Sequence, residues 1–491
     1  MASKPMVSAA TTSADVAFAL SDIARGQQSK GELRLAQIME SSREVFLEDG
    51  YAAFSARRVA ARVGITLGNL QYYFRAKEEL QRATVEVGLR EVLERYLHLI
   101  DTPGANAASR FSALADRIFL DAYETRLASF LIEAWAFGHR QPYAAQLVGE
   151  AYSQYLDGLA GLLKQIDSRL TSDECRVRAL ALITLGGGMM LFERESEASE
   201  KDDVAFARIA KRYIRTIAGK ARPQARAVEG RVQSNDRDAP EPDAPGGGAA
   251  GRSHADVFGS DIYVLEGRLQ WTVLRNGTDA RYSRPTMRAK RREAKINDIV
   301  TTAANVFASE GYAHFTQTRI ARELGLLPSA LQHYFPTRED LFNFTVATLM
   351  NTYNERYAQM ARPSDTPPLQ RLSAMVEDVF EENCNPSVGR FWLEMLSVAG
   401  RSQVTLAFLK QAYSAYRAVY VDLVREIDPT ATARECVARA TLILAQLEGV
   451  LIFTGRGGLR LPDLGGVRAF MKTAALDIAQ GCRRSKAASH P

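Results

Sequence analysis

At 491 residues the chain is too long for one ordinary domain and fits two to four. Apolar residues at 46% and charged residues at 24% give the balance of a core-forming protein. A net charge of +5 over this length is too weak to imply nucleic acid without local clusters. The four cysteines, Cys175, Cys384, Cys436 and Cys482, form no CxxC pair, which argues against a disulfide framework or a zinc ribbon and for reduced thiols.

In chain order, residues 1–30 read as a flexible N-terminal arm, rich in Ser, Thr and Ala and without the compact apolar core of a signal peptide. The most apolar run, Ala179–Phe192, is too short to span a bilayer, so the expectation is a cytoplasmic protein with no membrane partner. From residue 33 the apolar period is helical almost throughout. Helices are expected near 33–49, 55–62, 66–72, 76–99, 107–122, 126–139, 143–167, 173–193 and 203–218. Residues 221–251 are dominated by Pro, Gly, Ala, Arg and Asp and read as a linker. The GxGxxG at Gly246, Gly248 and Gly251 has no strand before it and is taken as linker composition. Residues 257–275 are more apolar, with hairpin and helix both open.

The second half repeats the first. Tyr51 and Tyr312 are 261 residues apart, and the same offset carries Tyr73-Phe74 to Tyr334-Phe335, Glu133 to Glu394, Cys175 to Cys436 and Phe192 to Phe453. A constant offset over such a length marks a tandem duplication. The register slips after Phe192, where an acidic stretch in one copy faces a Gly-rich one in the other.

Each copy opens with a candidate helix-turn-helix. Ser55 and Thr316 are suited to N-capping a short helix, with Val59, Ala60 and Val63 on one face of the first. Gly64 closes that helix and Thr66 caps the next, in which Leu70 and Phe74 face inward. This leaves Gly68, Asn69, Gln71, Tyr72 and Tyr73 outward. Asn and Gln can read base edges and Tyr hydroxyls can bond phosphates. Arg57, Arg58, Arg62, Arg75 and Lys77 surround them with the charge that dominates DNA affinity.

The stretches VFLEDGYAAFSARRVAARVGITLGNLQYYFRAKEEL (45–80) and VFASEGYAHFTQTRIARELGLLPSALQHYFPTREDL (306–341) resemble the tetracycline-repressor (TetR) family of bacterial transcription regulators. The resemblance implies an all-α chain of two tandem units. Each unit would pair a three-helix DNA-binding domain (31–80 and 286–341) with a helical ligand-binding and dimerising domain (81–220 and 342–484), with 221–285 as linker. It further implies that Thr66 caps the recognition helix and touches phosphate. Gly68 allows close approach to DNA, Asn69, Gln71 and Tyr72 lie at or near bases, and Tyr73 and Lys77 meet phosphates. The offset carries this surface to Thr316, Thr318, Arg319, Ser329, Gln332, His333, Tyr334 and Arg338.

The second copy departs from the pattern. Leu327 replaces the capping Thr66, and Pro328, Ser329 and Ala330 replace Leu67, Gly68 and Asn69. The basic run RAKRREAK (288–295) precedes it and reads as a phosphate-gripping arm. An unknown small-molecule effector is implied by the resemblance. Glu133, Trp135, His139 and Met189, with Trp392, Glu394, Met395 and Glu448, are the candidate pocket residues. Plain core packing is the alternative for the Trp and Met residues. Glu133 and Glu394 need a buried partner, either an arginine or a cationic ligand. Cys175 and Cys436 read as small buried hydrophobes. No catalytic or metal-binding pattern is present and no cofactor is expected.

The functional expectation is a ligand-responsive repressor, not an enzyme, that grips double-stranded DNA as a single-chain pseudo-dimer. Pairing would use a four-helix bundle from 143–192 and 404–453, and a homodimer of tandem chains stays open. A linker of about 31 residues has a root-mean-square span of roughly 30 Å, enough for the pairing. The other reading is a helical ligand-sensing or protein-binding scaffold with one or both heads degenerate.

Overall fold

The computed structural model describes residues 30–191, 200–220, 287–454 and 464–481. The expected arm, the linker at 221–285 and the apolar 257–275 segment therefore lie outside the described residues, apart from Lys30 at the arm's end. Among the described residues there is no strand, and the fold is all-α as expected.

The first half holds α1 (Lys30–Ala53), α2 (Ala56–Val63), α3 (Leu67–Tyr73), α4 (Lys77–Ile100), α5 (Ala107–Asp121), α6 (Thr125–Gly138), α7 (Pro142–Ile166), α8 (Ser172–Leu191) and α9 (Glu200–Arg215). The second holds α10 (Met287–Glu310), α11 (Gln317–Glu323), α12 (Pro328–Tyr334), α13 (Arg338–Ala361), α14 (Pro368–Asn383), α15 (Pro386–Ala399), α16 (Gln403–Ile427), α17 (Ala433–Glu448) and α18 (Leu464–Ala479). A 3₁₀ turn, Tyr312–His314, follows α10, and another, Gly449–Phe453, extends α17. Residues 288–295, expected as a phosphate-gripping arm, form the first turns of α10.

Each head is set on its own half by aromatic packing. Phe46 of α1 meets Phe130 and Phe137 of α6 at ring separations of 5.9 and 6.4 Å. Phe307 of α10 meets Phe391 of α15 at 5.1 Å. The long α4 and α13 lead out of the heads, packing on α1 and α10 at one end and on α7 and α16 along their length.

The two halves meet along α8 and α17. Past their charged first turns both helices are apolar on nearly every face, the pattern of a helix buried all round. Ala433–Phe453 is long and apolar enough to cross a membrane by composition, with mean hydropathy 1.7, but 89% of its most apolar stretch is covered by protein. Glycine sets how closely the two helices approach. A Cβ on Gly188 would overlap the Ala445 carbonyl, and one on Gly449 would overlap the Thr184 carbonyl. These pairs are related by the 261-residue offset, so the contact is self-complementary, as in a two-fold dimer. Around it α6 packs on α15, α9 on α17 and α18 on α8. The expected bundle of α7, α8, α16 and α17 is only half right as a contact. The seam belongs to α8 and α17, while α7 and α16 lie mainly against their own halves. Tyr152 of α7 reaches across to the Phe453 ring at 5.2 Å.

Candidate nucleic-acid interface and effector cavities

In the first head Gly64 takes a left-handed φ of 74° and its N–H closes α2 onto Ala60 and Ala61. Ser55 occupies the N-cap position of α2, yet its side chain makes no capping hydrogen bond, contrary to the expectation from residue type. Thr66 does cap α3, its Oγ1 accepting from the Asn69 N–H at 3.1 Å. Leu70 and Phe74 are buried, which fixes the outward face. Gly68, Asn69, Gln71 and Tyr72 are exposed there, Tyr72 by 75%, and Tyr73 is half-buried with its ring edge-on to Tyr72. Arg57 and Arg75 are exposed and Lys77 half-buried, none of them in an ion pair among the described residues. Arg58 instead bonds Asp49 and Glu48, and Arg62 bonds Glu48 at 2.8 Å.

The second head keeps the backbone and changes the chemistry. Thr316 caps α11 by accepting from the Arg319 N–H at 3.1 Å. Leu327, at the N-cap of α12, offers no acceptor and stands 73% exposed. Thr318, Ser329, Gln332 and His333 are exposed, and Tyr334 is half-buried. Arg319 is forked onto Glu310 and Glu323, both at 2.6 Å. Arg338 lies over the Tyr312 ring, 3.9 Å from its centre, and donates to the Tyr312 carbonyl at 3.2 Å.

The heads are tied to the seam by a paired clasp. Glu133 of α6 accepts from the Tyr51 N–H at 3.1 Å and from Ser397 Oγ at 2.7 Å, and it bonds Arg401 of the other half. Glu394 of α15 accepts from the Tyr312 N–H at 3.0 Å, meets Arg140 of the first half at 3.4 Å and accepts from the Tyr51 hydroxyl. Arg140 also donates to the Phe307 and Ala308 carbonyls at 2.8 and 2.9 Å. Gly50 and Gly311 make this possible. Both take a left-handed φ, 74° and 82°, and a Cβ on Gly50 would collide with the Arg401 guanidinium. Burial pushes the Glu133 carboxyl above its ordinary value, opposed by Arg401 and its hydrogen bonds, and burial also pushes the Tyr51 hydroxyl well up. Glu133 and Glu394 thus hold arginines across the seam and line neither cavity described below. His139 faces the Ile452 carbonyl at 3.4 Å, and burial pulls its pKa down to about 4, so its ring is neutral. Arg140 and Arg401 were missed in the sequence although they share the 261-residue offset.

The family model "Bacterial regulatory proteins, tetR family" matches at residues 38–84 and again at 299–343, the two heads. The chain belongs to the TetR family. It is 30% identical over 106 residues to the HTH-type transcriptional regulator BetI of Rhizobium meliloti, covering 21% of this chain and 52% of that protein. The chain thus spans about half the length of that relative. It is 27% identical over 173 residues to BetI of Escherichia coli O17:K52:H18, covering 34% of this chain and 83% of that one. A solved structure described as a TetR-family transcriptional regulator from Mesorhizobium loti MAFF303099 is 16% identical. It covers 39% of this chain and 97% of its own, with a TM-score of 0.32.

Each TetR-like half encloses a cavity between its long helices. The first has about 550 Å³ of atom-free space including its mouth, and Trp135 lines it, its Nε1 donating to the Tyr152 hydroxyl at 3.1 Å. The second has about 390 Å³ and is lined by Trp392 and Glu448. The two are equivalent in position: Leu131, Tyr152, Tyr155 and Gly187 in one correspond to Trp392, Tyr413, Tyr416 and Glu448 in the other. Met189 and Met395 are buried but line neither cavity. Cys175 and Cys436 are buried and unbonded, and burial pushes both thiols up.

Proposed function

We propose that this TetR-family chain is a transcriptional regulator that binds a double-stranded DNA operator through α3 and α12, with its halves paired as a single-chain counterpart of a homodimer. Base reading in the first head falls to Asn69, Gln71 and Tyr72. Thr66, Gly68, Tyr73, Arg57 and Lys77 approach the backbone, and Arg58 contributes by trading its carboxylates for phosphate. Its pair with Glu48 is exposed and worth only about 0–1 kcal/mol, whereas the Asp49 carboxylate is largely buried and its release is the larger cost of the exchange. In the second head Gln332 and His333 read, while Thr316, Thr318, Ser329, Tyr334 and Arg338 position. Two recognition helices held by paired halves would meet major grooves about 34 Å apart, or a multiple of it. Because the heads differ, the operator is asymmetric.

The clasp carries this reading. Each buried glutamate bonds the backbone of its own head and an arginine of the other half, so head position and seam geometry are coupled. An effector that shifts the seam changes the spacing of the recognition helices and lowers DNA affinity, provided that it binds the two arrangements unequally. The division into two heads, two regulatory domains and a linker, a cytoplasmic location and a repressor role belong to the same proposal. The test is selection of bound DNA from a random pool, followed by footprinting with Asn69→Ala and Gln332→Ala. Each substitution is expected to weaken one half-site only. Absence of saturable, sequence-selective binding at moderate salt would sink the reading. A protein mass near 54.2 kDa is expected in solution and one chain per operator on DNA, and twice that protein mass would mean a pair of chains with four heads.

A specific observation favours a narrower role for the second head. Arg319 is committed to two carboxylates and the α12 cap is lost. With Ala330 in the place of Asn69 as well, this head contributes less than the first to both affinity and sequence discrimination.

A further inference from the structure

The two cavities occupy equivalent places and differ in one decisive group. In the first half the position is Gly187, and the space beside it is taken by the Ile452 side chain from the other half. In the second half it is Glu448, buried on every side and carried on the last turn of α17. Among the described residues the side chain of Asn383, whose amide also donates to the Leu447 carbonyl at 3.0 Å, is the side chain that hydrogen-bonds it, and no arginine or lysine pairs with it. Arg356, which follows Tyr353 on α13, is already bonded to Asp378 and lies 3.9 Å from Glu382. A buried carboxylate without a cation is costly, and proteins retain one where a partner arrives.

The rest of the wall suits that partner. Tyr353, Tyr357, Trp392, Tyr413 and Tyr416 surround the carboxylate. Tyr353 stands 5.7 Å from Trp392 and 6.4 Å from Tyr357, and Tyr357 stands 5.3 Å from Tyr416, centre to centre. At the first cavity, Val92 and Leu131 take the places of Tyr353 and Trp392. Aromatic faces present negative charge to a cation and need no water to do so. The combination of converging rings and one unpaired carboxylate appears in the second half alone.

We propose that the second cavity binds a small organic cation with an alkylammonium or quaternary ammonium head, seated on the aromatic faces and paired with Glu448. The first cavity takes a neutral, apolar ligand or none. This deepens the regulatory reading by naming the effector's class, and rests on that reading only for the link to DNA. In the empty cavity burial pushes the Glu448 carboxyl up to about 8, so at neutral pH it stays protonated without a cation. Binding displaces that proton to buffer. The other titratable groups facing it are the tyrosines named above, Tyr420 and Glu382, with Arg356 and Asp378 behind them.

The test uses the full chain without DNA. Tetramethylammonium and tetraethylammonium chloride are titrated by calorimetry and tryptophan fluorescence, against sodium chloride at equal ionic strength and tert-butanol as a neutral shape match. One saturable site per chain is expected, with proton release that scales with buffer ionisation enthalpy. Glu448→Gln, shown by melting to be folded, should weaken cation binding by more than about tenfold. Trp392→Leu and Tyr353→Val, which install the residues of the first cavity, should each weaken it several-fold. Two equal sites per chain, equal binding of tert-butanol, or unchanged affinity in Glu448→Gln would each overturn the proposal, as would no saturable binding. Operator binding is measured separately, so a chain that binds DNA but no cation refutes this inference alone.

Discussion

The two heads share a backbone and divide their stabilising devices differently. In the first, α3 is capped by Thr66, while α2 begins at a Ser55 that makes no cap bond and α4 begins at Ala76, with no side-chain cap. In the second, α12 has lost its cap, while α11 is capped by Thr316 and α13 by a reciprocal Thr337–Asp340 box. Leu327 nevertheless holds φ −73° and ψ 143°, close to the −74° and 156° of Thr66. The apolar positions that face inward, Leu70 and Phe74 against Leu331 and Phe335, dictate the turn. Caps and surface charges then drift without changing it. After duplication, shape was held by packing, and the reading surface was left free to vary.

The seam is the hardest test of equivalence between the halves. Gly188→Val and Gly449→Val each drive a side chain into the backbone of the opposite helix, and each should cost about 3 kcal/mol, read as a lowered melting temperature. A tolerated substitution on one side only would break the symmetry described for α8 and α17.

Glu448 sharpens the comparison of cavities. Its folded pKa, about 8, exceeds its ordinary 4.5, so the native state holds a proton that the unfolded chain releases between those values. Its contribution is harmless below pH 4.5 and becomes a growing penalty as pH rises towards 8. Glu448→Gln should therefore gain stability over the parent with rising pH, by about 3 kcal/mol at pH 7, and almost none at pH 4. A pH-independent difference in melting temperature would contradict this.

The clasp ranks close behind. Arg401→Ala leaves Glu133 buried without its cation and should cost about 2 kcal/mol, with partial recovery when Glu133→Gln is added. Arg140→Ala should cost more, because Arg140 also holds two carbonyls of α10. Chemical denaturation of the single and double variants measures both. The smallest effect is at the caps. Thr66→Ala should lose about 1 kcal/mol, and Leu327→Thr should gain up to about 1 kcal/mol because the backbone there is already in capping geometry.

The sequence displayed the helices and the outward face of α3 because both follow from local spacing: an apolar period, a glycine stop and an acceptor ahead of Asn69. It could not display what Glu133 and Glu394 do. Their partners lie 268 and 254 residues away and are chosen by how the halves dock. Glu448 stood out as a pocket residue, but nothing local in the sequence singles out Tyr353, Tyr357 and Tyr416, which meet it only where the helices bring them together. Ser55 had the right residue type and not the right orientation. The basic run at 288–295 carried the charge of an arm and the helical propensity to extend α10 instead.

Each half still holds both members of the clasp, Glu133 with Arg140 and Glu394 with Arg401, on surfaces that fit their own kind. The contact has no means of telling the downstream half of its own chain from that of a neighbour, and proximity alone makes the choice. Under the proposed single-chain pairing, dilute molecules are expected to close on themselves. Crowded ones can trade halves, so that one molecule's upstream unit docks on the next molecule's downstream unit, and a string of such trades links molecules without any new surface.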